Sequence, residues 1–126
     1  MNKKVLLSIK PKYADLILSG EKIYEIRRRA WGILDIKTVI LYASAPVCMV
    51  VGEFELWHYI EKMVHQFTDD EIKAACLTVE EFEKYAGIRS PISDRKATLI
   101  KVKAPIRYEN PYPLTRRPPQ NFCYIH

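Results

Sequence analysis

Apolar positions fall in short runs along this 126-residue chain, and their spacing switches from strand-like to helix-like and back. Val5 to Ile9 is a brief apolar run of the kind that buried strands use. Pro11 suits the first turn of a helix, which Tyr13 to Leu18 continue, and Gly20 stands where a left-handed C-cap is expected. Ile23 to Arg29 reads as a second strand, and Trp31-Gly32 as a turn or loop. Lys37 to Ala43, rich in Val, Ile, Leu and Tyr, reads as a central strand. Ser44-Ala45-Pro46 turns the chain into Cys48 to Trp57, where Phe54 and Leu56 take one face and Glu53, Glu55 and Trp57 the other. These two runs predict neighbouring antiparallel strands, with Trp57 in a structural role.

The middle of the chain changes period. Thr68 with Glu71, and Thr78 with Glu81, have capping-box spacing, and the second helix runs through Phe82 and Tyr85 to stop at Gly87. Ala97 to Ala104 restores alternation, with Ile100 and Val102 opposite Lys101 and Lys103. From Pro105 onward five of the eight prolines predict an extended tail. Its Tyr108, Tyr112, Phe122 and Tyr124 argue that it packs on the body. The order is strand, helix, three strands, helical insert, strand, extended tail. Many short strands with few helices predict an α+β fold, a small barrel or curled sheet.

Composition narrows the class. The length fits one domain over residues 1–126, and 48% hydrophobic residues supply a core without staples. No apolar run approaches the roughly 20 residues that a membrane helix needs. The N-terminal Lys3-Lys4 and its apolar run break at Ser8 and Lys10, unlike a signal peptide. Cys48, Cys76 and Cys123 are odd in number and far apart, which predicts free thiols and a cytoplasmic protein. Cys123 and His126 have half the spacing of a zinc site with no second pair, so no metal and no cofactor is expected.

The net charge of +5 conceals an asymmetry. Glu53 to Glu83 holds nine acids and two lysines, while the remainder holds 18 basic residues against six acids. A basic body suits an anionic partner such as nucleic acid. The acidic helical segment either coats exposed helices or meets a protein partner.

Charge is densest around the second strand. Alternation places Tyr24 and Ile26 on a core face and Ile23, Glu25, Arg27 and Arg29 on the other, with Lys22 at the strand's entry. A carboxylate beside a guanidinium is held in one orientation, and a nearby lysine serves as phosphate ligand or, when buried, as a base. An exposed cross-strand ion pair of little energetic weight is the competing reading.

Gly20-Glu21-Lys22-Ile23-Tyr24-Glu25-Ile26-Arg27 carries the pattern Gly-x-Lys-x-x-Glu-x-Arg. With Leu7 to Pro11, Tyr42 to Pro46, Val50 to Phe54 and Arg117-Pro118-Pro119-Gln120-Asn121-Phe122, it resembles the ASCH-domain family over nearly the whole chain. The resemblance implies a PUA-like small mixed β-barrel with flanking helices. It also implies a cleft between barrel and helix that binds RNA or a nucleotide-like ligand, in proteins described as RNA-binding or as coregulators. One branch of the family hydrolyses N4-acetylcytidine with a lysine, a threonine and a glutamate. Lys22 fits that lysine, but Glu25 stands where the threonine would be. A ribonuclease activity has been proposed in the family, and no histidine pair here supports it.

The expected cleft gathers Lys22, Arg27, Arg28 and Arg29 for phosphate or a base edge, and Glu25 to accept from an exocyclic amine or to orient Lys22. Trp31 is placed to stack on a base or to cap the barrel end. Ser44 and Tyr42, at the end of the neighbouring strand, with Arg117 and Gln120 of the tail, complete the expected ligand contacts. Two functions remain open: a binding module for RNA or a nucleotide, and an amidohydrolase acting on a modified nucleoside with Lys22 and Glu25 as catalytic residues.

Overall fold

Every strand and helix expected within the described residues forms, and two strands run longer than their pattern. A computed structural model describes residues 4–30 and 36–125. The elements are β1 (Lys4–Ile9), α1 (Pro11–Leu18), β2 (Tyr24–Arg27), β3 (Thr38–Ala43), β4 (Met49–Met63), a 3₁₀ turn (Val64–Gln66), α2 (Asp69–Ala74), α3 (Val79–Ala86), β5 (Lys96–Tyr112) and β6 (Phe122–Ile125). One six-stranded mixed sheet has the order β2-β5-β4-β3-β1-β6. Only β1 and β3 pair in parallel among the described residues.

Local signals act as their chemistry requires. Pro11 opens α1, and the chain leaves the helix through Gly20 at φ 86°. Both capping boxes close: Thr68 and Glu71, then Thr78 and Glu81, exchange side-chain and backbone hydrogen bonds. β4 and β5 were expected to end near Trp57 and Ala104, yet each continues because it pairs with the other. Beyond the core their outer residues, among them His58 and Ile60, face solvent, so hydropathy alternation gives no sign of the extension. Pro105 and Pro111 are accommodated where the β4–β5 register shifts, and Ala104 there has φ 49°.

Three apolar clusters cover both faces of the sheet. Ile17 and Leu18 of α1 pack on Val5, Leu7, Val39, Leu41, Phe54 and Ile100. The helical insert packs Phe67, Ile72 and Phe82 on Ile26 and Leu99, with the two phenylalanine rings 5.1 Å apart. A third cluster of Leu6, Ile40, Tyr42 and Val50 receives Tyr108, Leu114, Cys123 and Ile125, and Phe122 packs on the first cluster, whereas Tyr112 and Tyr124 are exposed. The end of the tail forms β6, antiparallel to β1.

The sheet's two edge strands, β2 and β6, share no backbone ladder. Side chains join them instead: Arg27 at the end of β2 donates to Asn121, which immediately precedes β6. The expectation of a structural Trp57 is corrected, because the residue is 62% exposed. A register shift between Leu56 and His58 places it in a bulge that turns it outward.

Gly52 marks the tightest packing. A Cβ there would lie 2.5 Å from the Ile106 carbonyl oxygen and 2.7 Å from Leu18 Cδ2. Gly52→Ala is therefore expected to destabilise the fold by about 1–3 kcal/mol, the range for overpacking, as read by denaturant unfolding.

Candidate functional site

Lys22 lies in the turn between α1 and β2. Its N–H donates to the Leu16 carbonyl, and the next N–H, of Ile23, donates to Ala74 at the end of α2. This double tether aims the lysine inward. Lys22 is 2% exposed, and its Nζ donates to the carbonyl of Ala75, the C-cap residue of α2. A cation at a helix C-terminus meets both a free carbonyl and the negative end of the dipole. The Tyr13 ring of α1 lies 5.0 Å from the same ammonium.

Glu25 is the second member. Its Oε1 is 3.3 Å from Lys22 Nζ, and its Oε2 accepts from Arg27 Nη1 at 3.2 Å. Alternation puts Glu25 and Arg27 opposite Ile26, as expected. The face they occupy is enclosed rather than open, however, and Glu25 is only 4% exposed. The exposed-ion-pair reading is thereby corrected: α1 and the end of α2 cover this stretch of β2. Arg27 donates its Nη2 to Asn121 Oδ1, while its Nε is buried and makes no hydrogen bond. The triad has two cations and one carboxylate, a formal excess of one positive charge.

The triad opens into a cleft of about 620 Å³, a volume typical of small-ligand sites. Ser8, Ile9 and Lys10 come from the end of β1, and Ser44 from the end of its parallel neighbour β3. Tyr13 comes from α1, and Leu77, Glu81, Lys84 and Tyr85 from the helical insert. Gln120 comes from the tail, held in place as Ser8 donates to the carbonyls of Pro119 and Asn121. Of the expected contacts, Lys22, Glu25, Arg27, Ser44 and Gln120 thus line one cleft. Arg28, Arg29 and Arg117 are exposed and Tyr42 is buried in the third cluster, and none of them lines it. The Arg28 N–H instead donates to the Tyr85 hydroxyl, and its guanidinium lies 5.8 Å from that ring. Trp31 lies outside the described residues.

Ser8, Lys10, Tyr13, Lys84, Tyr85 and Asn121 were absent from the expected contacts. Asn121 stood in the tail pattern, and only its pairing with Arg27 and with the Arg29 carbonyl reveals its place. The others lie on elements distant in sequence, with no local spacing to join them. Burial, followed by the nearby carboxylates of Glu81 and Glu25, raises the Tyr13 phenol above its ordinary value. It therefore stays a neutral hydroxyl at physiological pH.

Two outcomes follow from this geometry. Lys22→Ala and Glu25→Ala each strand a buried charge and are expected to cost about 3–5 kcal/mol in denaturant unfolding. Tyr13 should ionise later than an ordinary tyrosine. The neutral form is favoured in the folded state, so its contribution to stability is intact below pH 10 and declines as pH rises further. Phenolate absorbance, compared with Tyr13→Phe, checks this.

No family model and no curated protein matches the chain. Solved structures do. The ASCH protein of Zymomonas mobilis superposes with a TM-score of 0.81 at 22% identity, covering 98% of this chain and 87% of that one. A serine-to-alanine variant of the same protein gives 0.82 at 23%, covering 98% and 88%. At such identity the likeness speaks to fold, and the fold of this chain is that of the ASCH domain.

Proposed function

We propose that the cleft binds RNA or a nucleotide-like ligand, and that the protein is a recognition module of the ASCH type. The observation that carries this reading is the buried Lys22–Glu25–Arg27 triad, with its surplus positive charge, at the base of a cleft walled by Tyr13 and Tyr85. An anionic group is attracted to the triad, and Lys10 and Lys84 at the cleft add to that attraction. A base has tyrosine rings to lie against and Ser44 and Gln120 for hydrogen bonds to its edge. Glu25, with an oxygen toward each cation, orients Lys22 and Arg27 more than it receives an amine.

The curled sheet is read as a PUA-like small barrel whose seam is closed by Arg27 and Asn121. Exposed Asp69, Asp70 and Glu80 on the helical insert offer a surface to a protein partner, consistent with a coregulator. The three free thiols fit a cytoplasmic setting. No described helix is long and apolar enough to cross a membrane.

A second reading, hydrolysis of an acylated nucleoside, draws on the direct Lys22–Glu25 contact, which pairs a proton donor with a proton acceptor beside the cleft.

Titration of cytidine monophosphate and short single-stranded RNA tests the binding reading. Lys22→Ala, verified as folded by circular dichroism, is expected to weaken both ligands at least about tenfold, roughly the loss of one charged hydrogen bond, and Glu25→Ala to weaken them by releasing Lys22 and Arg27 from their fixed orientation. The rim double variant Lys84→Ala with Gln120→Ala should weaken binding without unfolding. Unchanged affinity and salt dependence in all of these would sink the cleft reading. Release of cytidine from N4-acetylcytidine, abolished by Lys22→Ala, would favour the hydrolase instead.

A further inference from the structure

Trp57 stands on the outer face of the β4–β5 ribbon, 62% exposed. So large an exposed indole is uncommon on a soluble surface. Lys101 Nζ and Lys103 Nζ lie 5.8 and 5.9 Å from its ring, and Lys101 also lies 4.8 Å from the Tyr24 ring on β2. The His58 ring sits edge-on to the indole at 6.2 Å. Beside Trp57, a shallow depression of about 460 Å³ is shared by Lys37, Glu55 and Lys103 from three neighbouring strands. None of these residues lines the cleft. Three lysines against the single carboxylate of Glu55 leave this face positive.

We propose that this face is a second contact surface, for single-stranded RNA, separate from the cleft. An exposed indole stacks on an unpaired base of any identity, and flexible ammonium groups beside it meet the flanking phosphates. A bare acidic peptide would use the lysines and leave the indole idle. A paired duplex would offer no free base face to Trp57. Lys101, between Trp57 and the partly buried Tyr24, is placed to meet a phosphate beside the stacked base.

The test uses fluorescence anisotropy of a labelled oligouridine of about twelve nucleotides, within the site sizes of single-strand binders. Trp57→Ala is expected to weaken it about 5- to 150-fold, the loss of one stacked base. Trp57→Phe, which keeps a ring, should retain most of the affinity. Lys101→Glu with Lys103→Glu should make the salt dependence shallower by about 1.4 in log–log slope, two single-strand phosphate contacts. Uridine monophosphate, too short to span both sites, should bind all these variants as it binds the wild type. Failure of the mononucleotide to bind, with Trp57→Ala still weakening the oligomer, would remove the cleft reading and keep this one. The proposal is overturned if Trp57→Ala binds within about twofold of wild type, if Trp57→Phe loses as much as Trp57→Ala, or if polyglutamate competes as well as RNA.

Discussion

An ammonium withdrawn from water needs acceptors around it, and at Lys22 those acceptors come from two separate parts of the chain. Glu25 supplies a carboxylate from β2, and Ala75 supplies a carbonyl from the end of α2. The Tyr13 ring closes a third side. Neither the helical insert nor β2 can move away without leaving a charge uncompensated in a dry place. The same constraint sets the cleft, because the insert that caps Lys22 also brings Glu81, Lys84 and Tyr85 to its wall. Cleft geometry and fold stability are thus written into one side chain. A site built this way is held rigidly, at the cost of tolerating little substitution at its centre.

Much of this was legible in the chain before any coordinates. Short-range chemistry spoke clearly: Pro11 and Gly20 bracket α1, two Thr/Glu boxes start α2 and α3, and Gly87 ends the insert. Alternation also sorted Glu25 and Arg27 onto the face opposite Ile26. What alternation could not report was whether that face meets water, since the answer depends on α1 and α2 arriving from elsewhere. Lys22 shows the limit most plainly: its charge favours a surface, and beside Glu25 its burial draws on a carbonyl 53 residues away that no local pattern announces. The long β4–β5 ribbon was hidden for a different reason. Its outer half is held by paired backbone rather than by a buried side-chain face, and backbone pairing leaves no hydropathy period.

The charge asymmetry also resolves into structure. Part of the acidic segment is spent internally: Glu71 pairs with Lys62 at 2.8 Å, and Asp69 with Arg89 at 2.7 Å. Glu53 accepts from the Tyr108 hydroxyl, and burial together with that bond holds the phenol well above its usual range. The basic body, in contrast, keeps most of its lysines and arginines on the surface, with Lys22 and Arg27 drawn inward at the cleft. Opposite signs are therefore largely segregated by element, with the insert acidic outside apart from Lys73, and with Lys84 and Glu81 at the cleft. Such a division favours anions at the sheet and leaves the helices free of them.

Asn121 ties the last strand to the second. Its amide takes the Arg27 guanidinium on one side and gives to the Arg29 carbonyl on the other, across 94 and 92 residues of chain. During synthesis the lysine, the carboxylate and the arginine emerge together, but the tail residue that takes the arginine follows 94 residues later. A nascent chain halted before Asn121 has Glu25 to hold one side of Arg27, yet lacks the partner of the other side and the tail wall of the cleft. Completion of the cleft therefore waits on the tail, and a chain cut before Gln120 would present a positive groove with one side open.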